Sequence, residues 1–400
     1  MPRVSFTRAA GSCALWVALA LVAAPTWARA ALTASDVALA DAVLNQFNAV
    51  AFGSYAANNE TEGRIAVGGG FAGAGHNVCF NGCAGDTTSA ALGATYGSLT
   101  VWGSVTGGGA VSGGGDFFVQ GGNAAGSTLN MNNHGGVAVV GANAGTIQSA
   151  SFVRTSQASA GTLQNLNAGT PVSTGLPGAT VFPFAPALPF QAALSDLAAA
   201  LPGIAATTVA QTLGPYVQNG ATGITAVAAP GSFGGKHYGF VTTTMADLAG
   251  YQNFTGVNTN GLDAVFVIVS GQSGQALPGL NANNNETNVI WDFVDAASVS
   301  FAGSWYGQIL APNATVSNPA GNLTGAVIAQ AIVQSNEFHQ LSGNYFLPAG
   351  TLSGLPTTPV AGTPVDEPPA GAVLGVGLLG LWALRRRLPV GSVSRRANAG

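Results

Sequence analysis

The chain has 400 residues, of which 6% are charged and 58 are glycines. Between residues 31 and 348 the basic side chains are Arg64, Arg154 and Lys236, against thirteen acids, a net charge of about −10. Three cations cannot build the basic patch that nucleic-acid binding requires, so no nucleic-acid partner is expected. Val, Ile, Leu, Phe and Trp recur in short runs between the glycines, which excludes a disordered low-complexity chain.

The N-terminal segment, 1–30, predicts a secretory signal peptide. Arg3 and Arg8 precede an apolar run over positions 13–24, and the segment closes on the letters ARA. A basic start, a short apolar stretch and small residues at the cleavage site are typical of such peptides. The run is too short for a transmembrane helix. We expect cleavage between Ala30 and Ala31.

The region that follows contains many short strand-like runs. Examples are SLTVWGSVT, DFFVQGG, GVAVVGA, AVFVIVSG and NVIWDF, each bounded by Gly, Asn, Ser or Pro. They are rich in β-branched and aromatic residues, which favour strands. Three glycines in this region, Gly103, Gly121 and Gly141, follow one another at a nearly constant interval.

A similar interval separates two nearly identical segments near the C-terminus. GQILAPNA begins at Gly307 and GAVIAQAI begins at Gly325, which aligns Ile309 with Val327 and Ala311 with Ala329. A period of about 18 to 20 residues predicts a parallel β-helix, or β-solenoid, in which each turn of the chain stacks on the next. Ile309 and Val327 would then stack inward, and the two alanines would mark tight corners. A β-sandwich, which also has frequent turns, is the alternative fold.

One segment, 187–205, has helical spacing instead. Its apolar positions are Phe190, Leu194, Leu197, Ala198 and Leu201. Pro202 and Gly203 are expected to end this helix. We predict a single long helix that packs along one face of the solenoid.

The C-terminus has three parts that differ from the rest. Positions 349–365 are rich in Pro, Thr and Gly and predict an extended linker. An uncharged apolar run over 370–384 predicts a short transmembrane segment with its basic end in the cytoplasm, rather than a buried core helix, and 388–400 form a tail. The motif positions are Asp366, Glu367 and Pro368, followed by Arg385, Arg386 and Arg387. This ending resembles the PEP-CTERM sorting signal, with Asp366 in place of its first proline. The resemblance implies an exosortase-type partner, a Gram-negative envelope and membrane anchoring.

Two longer segments, FNAVAFGSYAANNETEGRIAVGGG and the stretch from NVIWDF to NEFHQ, resemble the choice-of-anchor A domain. The matching positions are Glu62, Gly63, Arg64, Trp291, Pro312, Glu337 and His339. The resemblance covers 31–348 and implies an exported surface protein with a right-handed β-solenoid and a helix alongside. It also implies an adhesive role.

Three side chains close together, His76, Cys79 and Cys83, allow more than one chemistry. An exported chain favours a Cys79–Cys83 disulfide. A metal site would need a fourth ligand, which is not nearby in sequence, and free thiols are the third possibility. No metal or other cofactor is predicted.

Carboxylates near both ends of the domain are the remaining candidates for chemistry. If the segment 60–64 is extended, Glu60, Glu62 and Arg64 share one face and form an ion-paired cluster, which is favoured over a general acid/base pair. Glu337 and His339 alternate in the same way, and a structural hydrogen bond is the alternative to a site. The sequence contains no G-x-S-x-G, H-E-x-x-H or phosphate-loop motif.

Three functions are compatible with these observations. The leading one is a non-enzymatic adhesin or biofilm-matrix protein that binds envelope or extracellular polysaccharide. A polysaccharide-cleaving β-helix enzyme is disfavoured because it would need more basic side chains. Ice binding is disfavoured because regular Thr-x-Thr ladders are not evident.

Overall fold

In the computed structural model, residues 32–357 are described except 74, 81–82, 84–86, 88, 133–134, 209–215, 219–220, 230, 252–253, 260, 273–275, 281–287 and 341–346. The strands are β1 Phe47–Ala51, β2 Tyr55–Ala57, β3 Arg64–Val67, β4 Phe71–Gly73, β5 His76–Val78, β6 Leu99–Val101, β7 Val105–Thr106, β8 Gly109–Ser112, β9 Phe117–Val119, β10 Thr128–Asn130, β11 Val137–Val139, β12 Thr146–Gln148, β13 Val153–Thr155, β14 Thr162–Gln164, β15 Val172–Ser173, β16 Tyr216–Gln218, β17 Ala221–Thr225, β18 Val227–Ala228, β19 Tyr238–Thr244, β20 Val257–Asn258, β21 Ala264–Ser270, β22 Val289–Phe293, β23 Ser298–Ser300, β24 Trp305–Tyr306, β25 Gln308–Ser317, β26 Leu323–Thr324, β27 Val327–Gln334 and β28 Phe338–His339. The helices are α1 Ala34–Gln46, α2 Gly178–Val181, α3 Gln191–Thr208 and α4 Met245–Gly250, with a 3-10 turn at Ala90–Leu92.

Successive turns of the chain stack in register as parallel strands. Ile309 pairs with Val327 and Ala311 with Ala329 on β25 and β27, which confirms the alignment predicted from the sequence repeat. Apart from β16–β17 and β18–β19, the strand pairs are parallel, which excludes the antiparallel β-sandwich. The described residues form mostly parallel β-sheets with few helices.

The stack is continuous in space but not along the sequence. Its order on one side is β19, β21, β22, β25, β27, β1, β3, β6, β9, β11, β13, β15. The first strand of the chain, β1, therefore lies in the middle of the stack. Later strands extend the stack from β1 to β15 at one end. The chain then continues at β19, at the opposite end, and builds back until β27 pairs with β1 and β2. We call the contact between the β27–β28 turn and the β1–β2 turn the junction.

Three parallel ladders run side by side along the stack. The first ladder is the strand order from β19 to β15 given above, and the helices pack against it. The second joins β23, the C-terminal halves of β25 and β27, β2, β4 and β7. The third joins β24, β26 and β28 through Thr61 to β5, β8, β10, β12 and β14. A cluster of buried apolar side chains fills the space between the ladders, and a second cluster lies between the first ladder and the helices.

Corners between the ladders are built from small residues. Gly103, Gly121 and Gly141 donate in turn to the carbonyl of the preceding glycine, Gly121 at 2.9 Å and Gly141 at 2.6 Å. A Cβ atom on any of them would overlap that carbonyl, so the spacing seen in sequence reflects close backbone approach. Ala311 lies just before the register shift that separates the two halves of β25, as expected of a corner, although it remains within the strand.

The prediction of a single long helix that ends at Pro202 is wrong in two respects. Helix α3 continues through Pro202 to Thr208, because Leu201 and Ile204 on either side of the predicted stop are buried in the cluster between helices and sheet. That packing outweighs the backbone hydrogen bond that proline removes. A second helix, α1, has 13 residues and contacts α3. It begins at a capping box in which Thr33 and Asp36 bond reciprocally.

The domain also extends further than predicted at its C-terminal end. The sequence predicts an extended linker from position 349 onward, but Leu352 and Leu355 are buried with Leu347 against the helices. Asp41 of α1 accepts hydrogen bonds from the amides of Gly350 (2.6 Å) and Leu352 (2.8 Å). The packed domain therefore reaches at least Leu355.

The predicted signal peptide (1–30), the cleavage position, the sorting motif and the transmembrane segment (370–384) lie outside the described residues. Within the described ranges, no helix is both long and apolar enough to cross a bilayer.

Candidate functional site

The junction brings together the motif residues from both ends of the domain. Thr61 pairs with Phe338 as in a parallel sheet. The Glu62 amide donates to the Phe338 carbonyl (2.9 Å), and the Phe338 amide donates to the Glu60 carbonyl (3.0 Å). Glu60 therefore lies beside Glu337, and Glu62 beside His339, although the two pairs come from opposite ends of the domain sequence.

A line of polar side chains crosses the third ladder through this point. From turn to turn the register places in one column Asn322, Glu337, Glu60, Asn77, Val111, Asn130, Gln148 and Gln164. We call these eight positions the polar column. Its polar members are half-buried or exposed, whereas inward neighbours such as Leu129 and Ile147 are buried. The column therefore faces outward, as alternation along a strand requires.

The two glutamates of the polar column bond to their neighbours on the same surface. The Asn77 side-chain amide donates to Glu60 Oε1 at 2.7 Å. Glu337 Oε2 lies 2.6 Å from His339 Nε2, and Asn322 Nδ2 is 3.4 Å from the same oxygen. The Glu337 and His339 side chains are 38% and 32% exposed, so solvent screens this pair.

A second column, of hydroxyls, runs parallel to the far end of the polar column. Thr128, Thr146 and Thr162 pair in register on β10, β12 and β14, two positions before the amides of the same strands. This column was not predicted from the sequence, although the signal is present. The triplets TLN, TIQ and TLQ recur there on successive turns, with threonine and an amide flanking an inward apolar residue.

The interior beneath the junction is polar. The Tyr55 hydroxyl donates to Gln334 Oε1 (2.5 Å), and Thr61 Oγ1 is 3.2 Å from the same oxygen. Gln334 Nε2 donates to the Glu60 carbonyl (2.7 Å). Burial raises the pKa of Tyr55, with a smaller opposing effect from its hydrogen bond to Thr61. This network joins the β1–β2 turn to the β27–β28 turn from the interior of the stack.

The sequence candidates His76, Cys79 and Cys83 do not form a metal site. The sulfur atoms of Cys79 and Cys83 are joined in a disulfide whose Cα atoms are 5.1 Å apart. His76 points inward, with its ring 6.1 Å from that of Tyr55 and 5.8 Å from that of Phe71. Burial lowers the pKa of His76 to about 3, so its ring is neutral. Across the described ranges, no cluster of three His, Cys, Asp or Glu side chains could hold a metal.

The segment 60–64 is not extended as a unit, so the condition on which a shared face for Glu60, Glu62 and Arg64 was predicted is not met. The chain bends at Glu62 and Gly63 to turn the corner into β3, and the Gly63 amide donates to Asn48 Oδ1 (3.1 Å). Glu62 accepts from the Gln340 amide (2.7 Å) on the third ladder. Arg64 starts β3 on the first ladder, where it reaches the Gln46 carbonyl at 3.5 Å.

The remaining motif residues support the fold. Trp291 is buried, donates to the Tyr306 carbonyl (2.9 Å), and packs at 4.9 Å from the ring of Trp305. Pro312 is buried within β25 at the register shift. Both positions stabilise the stack and do not reach the polar column.

A family profile described as "Putative Ice-binding-like adhesive domain" matches residues 40–340. The chain belongs to this family. The match confirms the resemblance to the choice-of-anchor A domain, since the two describe the same kind of domain. Its boundaries enclose most of α1, the stack and the junction, so the whole polar column belongs to the ice-binding-like adhesive domain.

No curated protein and no solved structure matches the chain significantly.

Proposed function

We propose that this protein is an exported, surface-anchored adhesin that binds envelope or extracellular polysaccharide and turns over no substrate. One observation carries the proposal: in a domain of an adhesive family, a column of amides and carboxylates continues across eight stacked positions, interrupted only at Val111. Seven of the eight positions therefore offer an amide or a carboxylate for hydrogen bonding. Many weak contacts of this kind give strong attachment when numerous copies act together.

The scaffold that we propose is a right-handed β-solenoid of triangular cross-section. The three parallel ladders and their inward apolar side chains support this fold. The first ladder carries the helices, which leaves the second and third ladders to meet a partner. A rigid stack suits adhesion because its side chains keep their spacing under load.

Export and anchoring rest on the sequence of the termini. We propose that the signal peptide is removed after Ala30 and that an exosortase-type enzyme recognises the ending around Asp366 and Pro368. The apolar segment 370–384 would hold the protein in the membrane of a Gram-negative cell, stably or until that processing step. The adhesive family supports a surface location.

Comparison of attachment with and without the gene tests the proposal. We expect a deletion strain to attach less to a surface and to form smaller flocs, and a plasmid copy to restore both. The purified protein should retain polysaccharide on a column and leave its chain length unchanged. Normal attachment by the deletion strain would refute the adhesive function.

A polysaccharide-cleaving enzyme is the second candidate, favoured by the 2.6 Å Glu337–His339 contact, which lies beside Glu62. Glycosidases use two carboxyl groups of this kind. Release of reducing ends or unsaturated sugars, abolished by Glu337→Gln or Glu62→Gln, would replace the adhesin proposal with this one. Release that persists in both variants would indicate a contaminating enzyme.

A further inference from the structure

We infer that the ligand of the polar column is a linear polysaccharide with protonated amino groups, of the glucosamine type, lying along the stack. The inference rests on the proposed adhesive function and adds the face and the ligand chemistry. Three observations carry it: the direction and length of the column, the distribution of charge around it, and the composition of the other faces.

The geometry of the polar column fits an extended polymer. Adjacent parallel strands are about 4.8 Å apart, so seven steps from Asn322 to Gln164 span about 34 Å. An extended 1,4-linked glycan advances by a similar length for each sugar. Except at Val111, each sugar can therefore meet an amide or a carboxylate on successive turns. Thr128, Thr146 and Thr162 flank the amide end with hydroxyls.

The charge around the column is negative. Glu60 and Glu337 occupy adjacent positions of the column, and the imidazole of His339 contacts Glu337 at 2.6 Å. Neither Arg154, on β13 of the first ladder, nor Lys236, which pairs with Asp263 at 3.4 Å, contacts Glu60 or Glu337, whose side chains bond to Asn77, Asn322 and His339. A polyanionic glycan would be repelled from this surface, whereas a polymer of protonated amines would be attracted.

The other faces lack these features. The first ladder carries α1 and α3 over its outer side. On the second ladder, the outward positions in register are Ser300, Ser317, Val333, Ala56, Ala72 and Thr106. These small, uncharged side chains offer no charge to an amine and only short hydroxyls. They therefore provide matched control positions on the same scaffold.

Short soluble glucosamine oligomers and their N-acetylated counterparts test the inference against the purified full-length protein. We expect the amine form to bind more tightly than the N-acetylated form, and its binding to weaken with salt. Glu60→Gln/Glu337→Gln should weaken binding by about fivefold, or about 1 kcal/mol, because glutamine at 60 can still accept from Asn77. The control Asp196→Asn/Asp295→Asn removes two carboxylates away from the polar column and should stay within about twofold.

A charge of opposite sign provides the second test. Gln148→Lys should weaken binding of the amine form, whereas Ser317→Lys on the second ladder should not. Equal affinity for the amine and N-acetylated oligomers, or equal effects of column and control variants, would overturn this inference. If a neutral or anionic glycan is bound instead and cells still need the gene to attach, the inference fails while the adhesive function stands. If the gene has no effect on attachment, the proposed function itself fails.

Discussion

Replacement of Tyr55 by Phe tests whether the polar network beneath the junction holds the β1–β2 turn and the β27–β28 turn together. The Tyr55 hydroxyl is fully buried and donates to Gln334 Oε1 at 2.5 Å. Its removal leaves that oxygen with Thr61 at 3.2 Å. One buried hydrogen bond contributes about 1 kcal/mol, and a partly unsatisfied partner adds a similar amount. We expect the free energy of unfolding to fall by about 1–2 kcal/mol.

Urea unfolding followed by the fluorescence of the buried Trp291 and Trp305 measures this change. Tyr306→Phe is the matched control, since Tyr306 is half-buried at the surface and should change stability by less than about 0.5 kcal/mol. A double-mutant cycle with Gln334→Leu should give a coupling of about 1 kcal/mol. Additive effects, or a Tyr55→Phe protein as stable as the control, would refute the view that this network joins the two turns of the junction.

Three further predictions concern stability and processing. Ile309→Asp should lower the free energy of unfolding, measured by urea titration, by several kcal/mol. Ile309 is 1% exposed between stacked turns, so the change buries an unpaired charge. A change near zero in the free energy of unfolding would contradict the stacking. Asp292 is fully buried, and burial, with a smaller effect from the Asp295 charge, raises its pKa well above the usual range. The folded protein therefore holds a proton that the unfolded chain releases, so this group favours folding below the usual Asp pKa of about 4 and loses that contribution as pH rises. Asp292→Asn should flatten the fall in thermal midpoint as the pH rises above about 4, and an unchanged slope would contradict this. Intact-mass measurement should show a mature chain that starts at Ala31 and a gain of two hydrogens on reduction of the Cys79–Cys83 bridge; a retained leader or an unchanged mass would contradict the respective prediction.

The stacking could be predicted from the sequence because it leaves a local repeat. Ile309 and Val327, like Gly103 and Gly121, are each one turn apart, so the period is visible within a short window. Inward apolar residues and corner glycines are also selected by contacts with the adjacent turn. Such positions depend on neighbours only one turn away in sequence, which a search for repeats can detect.

The junction could not be predicted in this way. Thr61 and Phe338 pair across most of the length of the domain, with no repeated segment to connect their turns, so a periodic pattern carries no information on their contact. The step of the polar column from Glu337 to Glu60 crosses this point and was missed for the same reason, whereas its amide end at Asn130, Gln148 and Gln164 does leave a repeated triplet. Helix α1 was missed although its capping box at Thr33 is a recognisable signal, and the length of α3 was underestimated because tertiary packing outweighs Pro202.

Attachment of living cells tests the central claim, that the polar column is the adhesive face, most directly. A deletion strain would receive the wild-type gene, a column variant Asn130→Ala/Gln148→Ala, or a second-ladder control Thr315→Ala/Ser317→Ala, each at equal surface level. We expect the wild-type and control genes to restore attachment to the same extent and the column variant to leave it close to that of the deletion strain. Full attachment with the column variant, or loss with the control, would contradict the account.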